Sequence, residues 1–153
     1  MYLIGIVSNK KDLKFEKVMK DINNEIVIER INTNNIENKC QKKFDIIILE
    51  KNFKDIGKII NKTSYIIMNE NTNYNFKTED ATNIITFGFR NKSTATISSV
   101  EDKKILMSLQ RGFKNIYNQE ILPQEIKINT QEKLNINKHM EIKLVEIILK
   151  ESH

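Results

Sequence analysis

The sequence predicts an α/β fold with a mostly parallel sheet flanked by helices, followed by an antiparallel hairpin tail and a C-terminal helix. Two observations lead to this class. Over the first half of the chain, short apolar runs alternate with apolar residues at helical spacing, the order that builds parallel sheets. After residue 83, strand-like runs follow one another until a broad apolar stripe closes the chain. At 153 residues, the chain is expected to form a single domain over residues 1–153.

The first half of the chain is predicted to consist of strands joined by helices. Residues 2–7 are an apolar run that ends at Ser8 and Asn9, which predicts a buried strand and a turn. The apolar side chains of residues 15–22 recur at the spacing of one helix face. The other predicted elements are strands at residues 25–31, 44–49 and 65–68 and a short helix with Phe53, Ile56, Ile59 and Ile60. The polar residues 32–43 are expected to form a surface connection or a short helix, and residues 72–82 a polar loop.

The second half is predicted to form short antiparallel hairpins and one helix. The expected strands lie at residues 83–89, 94–100, 104–109 and 125–128. No helix-length pattern lies between them, and Arg111-Gly112 and Leu122-Pro123 are typical of turns. From Ile136 to Leu149 the apolar residues form one broad stripe, so the closing helix is expected to pack against the rest of the protein.

Composition and charge restrict the classes of partner. The 25 Lys and Arg residues exceed the 20 Asp and Glu residues, and the net charge is +5. Only three of the basic residues are Arg, the residue that best recognises phosphate and guanine, so we do not expect nucleic acid to be the partner. One Cys excludes an internal disulfide and favours a cytoplasmic location. No apolar run approaches the roughly 20 residues of a membrane helix, and the N-terminus lacks the order of a signal peptide, so no membrane association is expected.

Four segments carry a resemblance to a known family. They are residues 4–12, a strand followed by Ser-Asn-Lys-Lys-Asp; residues 45–50, an apolar run ending in Glu50; residues 65–71, a run ending in Asn-Glu-Asn; and residues 84–89, Ile-Ile-Thr-Phe-Gly-Phe. In this order they resemble the central, ATP-binding domain of the Mur ligases, which join amino acids to the peptidoglycan precursor through an acyl-phosphate. The closing helix resembles the helix that ends that domain. The nearest candidates for the family's His-Asn-x-x-Asn signature are Asn135 and Asn137.

The segment that resembles the family's phosphate loop lacks the residues that such a loop needs. Glycines let consecutive backbone N–H groups converge on phosphates at a helix N-terminus, a Lys reaches the outer phosphates, and a Ser or Thr holds magnesium. Lys11 and Asn9 align with the family's Lys and Asn, but Lys10 stands in place of the glycine and Asp12 in place of the hydroxyl. Asp12 is a good helix N-cap that would repel a triphosphate. We therefore expect an N-capped surface helix rather than a nucleotide cradle.

The other aligned site residues are also incomplete. The resemblance implies a magnesium role for Glu50 and a nucleotide role for Asn69, but Asn71 replaces a family Asp. The interval between Glu50 and Asn69 is short, whereas in the family it is long and carries catalytic and substrate-holding groups. The chain also has no room for the family's UDP-binding and amino-acid-binding domains. The substrate site cannot be complete within one chain of this kind.

Other catalytic or binding constellations are weak. Cys40 lies near lysines but has no His nearby in sequence, and His139 and His153 with one Cys do not make a zinc site. Phe87 and Phe89, followed by Arg90 and Lys92, are the nearest approach to aromatics interleaved with basic residues; we interpret them as a core face that ends at a basic hairpin.

The sequence thus predicts a degenerate, stand-alone domain similar to the Mur ligase central domain, without amide-ligase activity and without a cofactor. Its expected role is interaction or regulation through a protein partner, linked to cell-wall precursor synthesis by the resemblance alone; a homo-oligomer is a further possibility. One alternative is a small nucleotide- or anion-binding protein that uses Asn9, Lys11, Lys14 and Asn69, with Glu50 as a metal ligand. The other is a basic nucleic-acid-binding module.

Overall fold

A computed structural model describes residues 1–39, 41–51, 56–60, 62–72 and 81–152. The fold class is α/β, with mostly parallel strand pairing, flanking helices, an antiparallel tail and a C-terminal helix, as the sequence predicts. The chain divides into two compact units, Met1–Ile84 and Ile85–His153. Cys40, Phe53 and most of the predicted polar connection at 72–82 lie outside the described residues.

The first unit contains four parallel strands and the helices that join them. Its elements are β1 (Tyr2–Val7), α1 (Leu13–Ile22), β2 (Ile26–Ile31), α2 (Ile36–Lys39), β3 (Ile46–Leu49), α3 (Gly57–Ile60) and β4 (Tyr65–Asn69). The strand β1 pairs in parallel with both β2 and β3, and β3 pairs in parallel with β4, so the spatial order is β2-β1-β3-β4. The predicted strands of this half and the helix of residues 15–22 are confirmed. Of the predicted short helix that includes Ile59 and Ile60, the structure shows α3, and α2 is the short helix allowed for within residues 32–43.

The core of this unit follows from the near-continuous apolar character of its strands. All four residues of β3 are buried, which is typical of a parallel strand covered on both faces. One cluster of buried side chains comprises Val7, Ile31, Ile36, Phe44, Ile47, Leu49, Ile56, Ile59, Ile60, Ile66 and Met68. On α1, Phe15 and Met19 are buried while its lysines at 14, 17 and 20 are exposed, so the apolar stripe seen in the sequence is the face that packs.

The second unit is built mainly from antiparallel strands and one long helix. Its elements are most of β5 (Asn83–Gly88), then β6 (Ala95–Glu101), β7 (Lys104–Leu109), β8 (Phe113–Lys114), β9 (Glu120–Ile121), β10 (Gln124–Asn129) and α4 (Ile136–Leu149). The strand β7 pairs antiparallel with β6 and with β10. The two-residue strands β8 and β9 form a small antiparallel pair that the sequence analysis did not predict.

The connection between β5 and β6 differs from the predicted hairpin. These strands pair in parallel, through Phe87 with Ala95 and Gly88 with Thr96. Two hydrogen bonds explain the geometry: Thr94 N donates to Thr86 Oγ1 (3.1 Å), and Ser93 N donates to the Arg90 carbonyl (3.1 Å). The loop therefore folds back beside the end of β5, and β6 starts there and continues in the same direction.

The helix α4 is the predicted closing helix, and most of it is buried. Its N-cap is Asn135, whose Oδ1 accepts a hydrogen bond from Lys138 N (2.9 Å). Its buried side chains include the apolar stripe together with His139 and Glu141. No helix in the described ranges has both the length and the apolar character needed to cross a membrane.

Candidate functional site

The carboxyl ends of the four parallel strands bring the aligned residues of the first unit together. The strand register places Ile31, Val7, Leu49 and Met68 in one row across the sheet. The chain leaves the sheet just after this row, so Ser8, Glu50 and Asn69 follow on neighbouring strands. Backbone hydrogen bonds connect the residues after β3 to the end of β1, because Glu50 N and Lys51 N both donate to the Val7 carbonyl, at 3.1 and 3.2 Å. The carboxyl edge of a parallel sheet is where α/β proteins usually bind ligands.

Two backbone N–H groups of the loop from Ser8 to Asp12 are hydrogen-bonded within the protein. Ser8 N donates to the Ile31 carbonyl (3.1 Å), and Lys10 N donates to Ser8 Oγ (3.2 Å). No residue of the loop has a positive φ; among the described residues, only Lys103 and Asn118 do. One form of anion-binding nest alternates residues in the right-handed and left-handed regions. This loop does not form such a nest.

Asp12 occupies the N-terminus of α1, as the sequence predicts. Its Oδ1 accepts a hydrogen bond from Phe15 N (3.1 Å), and its carbonyl accepts from Glu16 N (3.1 Å). The half-buried Asp12 carboxylate thus uses one of the N–H groups that a phosphate would contact, and it places a negative charge at the positive end of the helix. An incoming phosphate would meet repulsion at the position where nucleotide loops provide attraction.

The remaining predicted ligands lie in the loop after β1, in the first turn of α1 and at the end of β4. Asn9 and Lys11 are exposed in the loop, and Lys14 is exposed in the first turn of α1. The Asn69 Oδ1 accepts from Asn71 N (2.8 Å), and the Asn69 carbonyl accepts from Thr72 N (3.0 Å), so Asn69 forms the turn that ends β4.

Glu50 is the one carboxylate of the predicted site at this edge, and it is half-buried. Among the residues that the structure describes, no group of three or more His, Cys, Asp or Glu side chains is arranged to hold a metal ion. Magnesium is usually bound by one or two carboxylates together with substrate phosphates. Glu50 could contribute to such a site only with a phosphate ligand beside it, where the loop of residues 8–12 offers no cradle.

The structure also shows a charged cluster that the sequence analysis missed. Lys39 Nζ lies 3.1 Å from Glu29 Oε2, and Lys42 pairs with Glu29 Oε1. Burial raises the pKa of Glu29, but the hydrogen bonds from Lys42 and Lys39 outweigh it and hold that pKa below the ordinary value. The partners are 10 and 13 residues apart, so the folding of α2 and of the residues after it beside β2 brings them together. The cluster links β2 to the segment of residues 39–42.

Comparison with known proteins adds no relative to this picture. No protein-family model matches the chain, and a search of curated proteins finds no match.

Proposed function

We propose that this chain is a non-catalytic α/β domain, similar to the central domain of the Mur ligases, that acts by binding a protein partner in an interaction or regulatory role. The observation that carries this proposal is the loop from Ser8 to Asp12, which has no positive φ and ends in a carboxylate cap. Neither property suits a triphosphate. Glu50 and Asn69 lie on adjacent strand ends, which is the arrangement that the resemblance implies, and this supports a shared ancestry with a lost nucleotide site. A link to cell-wall precursor synthesis follows from the resemblance alone.

The first prediction concerns nucleotide binding. We expect Mg-ATP, Mg-ADP and UDP-MurNAc peptides to leave the melting temperature unchanged, and calorimetry to show no binding in the micromolar range. A ligand that bound the folded chain would raise its stability by mass action. The Lys11→Ala variant should behave like the parent chain, as should the control Lys62→Ala, which removes an exposed lysine just before β4, at the opposite edge of the sheet.

Two outcomes would contradict the proposal in distinguishable ways. Micromolar Mg-ATP binding that depends on both Lys11 and Glu50 would show a working nucleotide site. Binding of nucleotides and inorganic phosphate alike, lost in Lys11→Ala but kept in Lys62→Ala and Glu50→Gln, would favour the small anion-binding protein.

A further inference from the structure

The strand β10 is an edge strand of the second unit. All six of its residues pair antiparallel with β7, and it stands last in the strand order. Among the described residues, no strand pairs with its other side, which we call the open side of β10. An edge strand presents backbone N–H and C=O groups to any chain that can pair with it. The open side of β10 is therefore a place where another strand can be added to the sheet.

A hydrogen bond next to β10 shows which of its backbone groups face the open side. Thr130 N donates to the Lys103 carbonyl (3.0 Å), and these two residues continue the β10–β7 register by one position. Hydrogen-bonded and non-hydrogen-bonded pairs alternate along an antiparallel ladder. The even-numbered residues of β10 therefore bond to β7, and the backbone groups of Glu125, Lys127 and Asn129 point to the open side.

A hydrogen bond on the other side of β7 gives the same assignment. Gln110 N donates to the Thr94 carbonyl (2.8 Å), and these residues continue the β6–β7 register by one position. The even-numbered residues of β7 thus bond to β6, and its odd-numbered residues bond to β10. The odd-numbered residues of β7 lie opposite the even-numbered residues of β10, so the two observations agree.

The side chains of β10 alternate between a covered face and an exposed face. Ile126 is half-buried and Ile128 is buried, whereas Glu125, Lys127 and Asn129 are exposed. The exposed face thus carries one carboxylate and one ammonium group, two residues apart on the same side of the strand.

This charge pattern makes β10 complementary to itself. When two copies pair antiparallel about Ile126, Glu125 of each copy lies opposite Lys127 of the other. Their backbone groups point to the open side, so these residues form the hydrogen-bonded pairs of the new ladder. Ile126 then lies opposite Ile126 of the second copy as a non-hydrogen-bonded pair, in which the side chains are closest. Opposite charges directly across a strand pair stabilise it.

The same charges disfavour the neighbouring registers. The alternation of backbone groups permits only shifts of two residues. One such shift places Glu125 opposite Glu125 of the second copy, and the other places Lys127 opposite Lys127. Like charges directly opposite each other destabilise a strand pair. The register centred on Ile126 is therefore preferred over both.

We propose that β10 pairs antiparallel with β10 of a second copy of this chain, in the register centred on Ile126, to form a symmetric dimer with a continuous sheet. A two-fold interface uses the same surface on both copies, which a self-complementary strand provides. Standard interfaces use about 20 to 30 residues a side, so a ladder of this length gives a weak, reversible dimer. The proposal goes beyond the proposed interaction with a different protein and does not depend on it.

The experiment measures self-association of the full chain by sedimentation equilibrium from about 5 μM to about 500 μM. We expect the mass to rise from that of the monomer toward that of the dimer. Glu125→Lys and Lys127→Glu should each weaken self-association by about tenfold or more, because each places like charges opposite each other twice. An equimolar mixture of these two variants, and the double variant Glu125→Lys/Lys127→Glu, should associate like the parent chain, because both restore opposite charges.

Matched controls change the same charges elsewhere. Glu25→Lys and Lys17→Glu reverse exposed charges in the first unit, and both should associate like the parent chain. Hydrogen exchange supplies a second readout: at high concentration the amides of Glu125 and Lys127 should gain protection, whereas that of Ile126, already bonded to β7, should not change.

Three results would overturn the proposal. The first is a parent chain that stays monomeric over the whole concentration range. The second is a pair of single variants that associate like the parent chain, or that do not associate when mixed. The third is a dimer in which the amides of Glu125 and Lys127 gain no protection, since such a dimer uses another surface.

Discussion

Gly5 shows how a single residue sets the packing of the first unit. It lies within β1, where a Cβ atom would come within 2.8 Å of Ile31 Cδ1 and 3.0 Å of Phe44 Cδ1. Phe44 is fully buried and belongs to the main cluster of this unit. The missing side chain at Gly5 is therefore what allows the Phe44 ring to lie against β1.

Replacing Gly5 with alanine should destabilise the protein. The added methyl group overpacks a closely packed core, and we expect Gly5→Ala to lower the free energy of unfolding by about 1–3 kcal/mol. Urea unfolding followed by circular dichroism measures this change. The double variant Gly5→Ala/Ile31→Val should show a smaller combined loss than the sum of the two single variants, because it removes the nearest atom.

Val27→Ala is the control for this substitution. Val27 lies on β2 and is 40% exposed, so we expect a change within about 0.5 kcal/mol. Strict additivity of Gly5→Ala and Ile31→Val would show that the added methyl group does not press on Ile31. A neutral Gly5→Ala would show that Phe44 packs without help from the glycine.

Among the elements, α4 is held at its C-terminal end by the loop between β8 and β9. Asn115 Nδ2 donates to the Lys150 carbonyl (3.0 Å), and Ile116 N donates to the Ile148 carbonyl (3.0 Å). The side-chain amide of Gln119 then pairs with the backbone of Ser152, donating to its carbonyl (2.8 Å) and accepting from its N–H (2.9 Å). The loop thereby satisfies carbonyl groups that the end of a helix leaves without partners.

Asn115 is the centre of this arrangement, because it is 2% exposed and also accepts from Tyr117 N and Gln119 N. Asn115→Ala would leave buried groups without partners, and we expect it to lower the free energy of unfolding by about 1–3 kcal/mol. Amide hydrogen exchange should accelerate at residues 148–152 before the rest of the protein changes. The exposed Asn34→Ala serves as the control, and equal protection of α4 in both variants would rule out a holding role for the loop.

The same elements show what the sequence could predict and where it failed. Runs such as Ile46–Leu49 and the stripe of α4 are long enough or apolar enough for periodicity to assign them. Two-residue strands such as β8 carry no periodic signal. The parallel start of β6 depends on the Thr86–Thr94 contact, which no local pattern contains. The exposure of Phe89, which contradicts its interpretation as part of a core face, was missed for the same reason, since alternation holds only while the strand lasts.

In the candidate site, too, the positions of residues could be predicted from the sequence, whereas the conformation of the loop could not. Ser8, Glu50 and Asn69 each follow an apolar run, and because parallel strands end together, the sequence is sufficient to place these three residues at one edge of the sheet. Asp12 precedes an apolar stripe, which is the position of a helix cap. The conformation of the loop between them depends on the contacts of Ser8 with Lys10 and with Ile31. A segment of five residues does not reveal such contacts by its composition.

At the scale of the whole molecule, the dependence of stability on pH near neutrality is set by very few groups. The chain contains two His residues, of which His139 lies in the described part, in the first turn of α4. His139 is buried, and its Nε2 lies 3.1 Å from the Glu132 carbonyl. Burial lowers the pKa of His139 below its ordinary value of 6.5, and the nearby Glu132 only partly opposes this.

This lowered pKa predicts a loss of stability in mild acid. The unfolded chain takes up the proton first as the pH falls below about 6.5, because its imidazole has the ordinary pKa. The free energy of unfolding should therefore be constant above that pH, fall as the pH drops toward the lower pKa of the folded protein, and level off below it. Urea unfolding at about pH 7.5 and about pH 5.5 measures the difference.

His139→Gln separates this contribution from all others, because it removes the imidazole and keeps a side chain that can donate to the Glu132 carbonyl. Whatever its absolute stability, this variant should lose most of the difference between the two pH values. The control His153→Gln removes the other imidazole and should keep it. A His139→Gln variant whose stability still fell by the full amount would contradict the assignment to His139. Glu29 would not explain such a fall, because its lowered pKa makes the folded protein lose stability only as the pH falls below the ordinary value of 4.5.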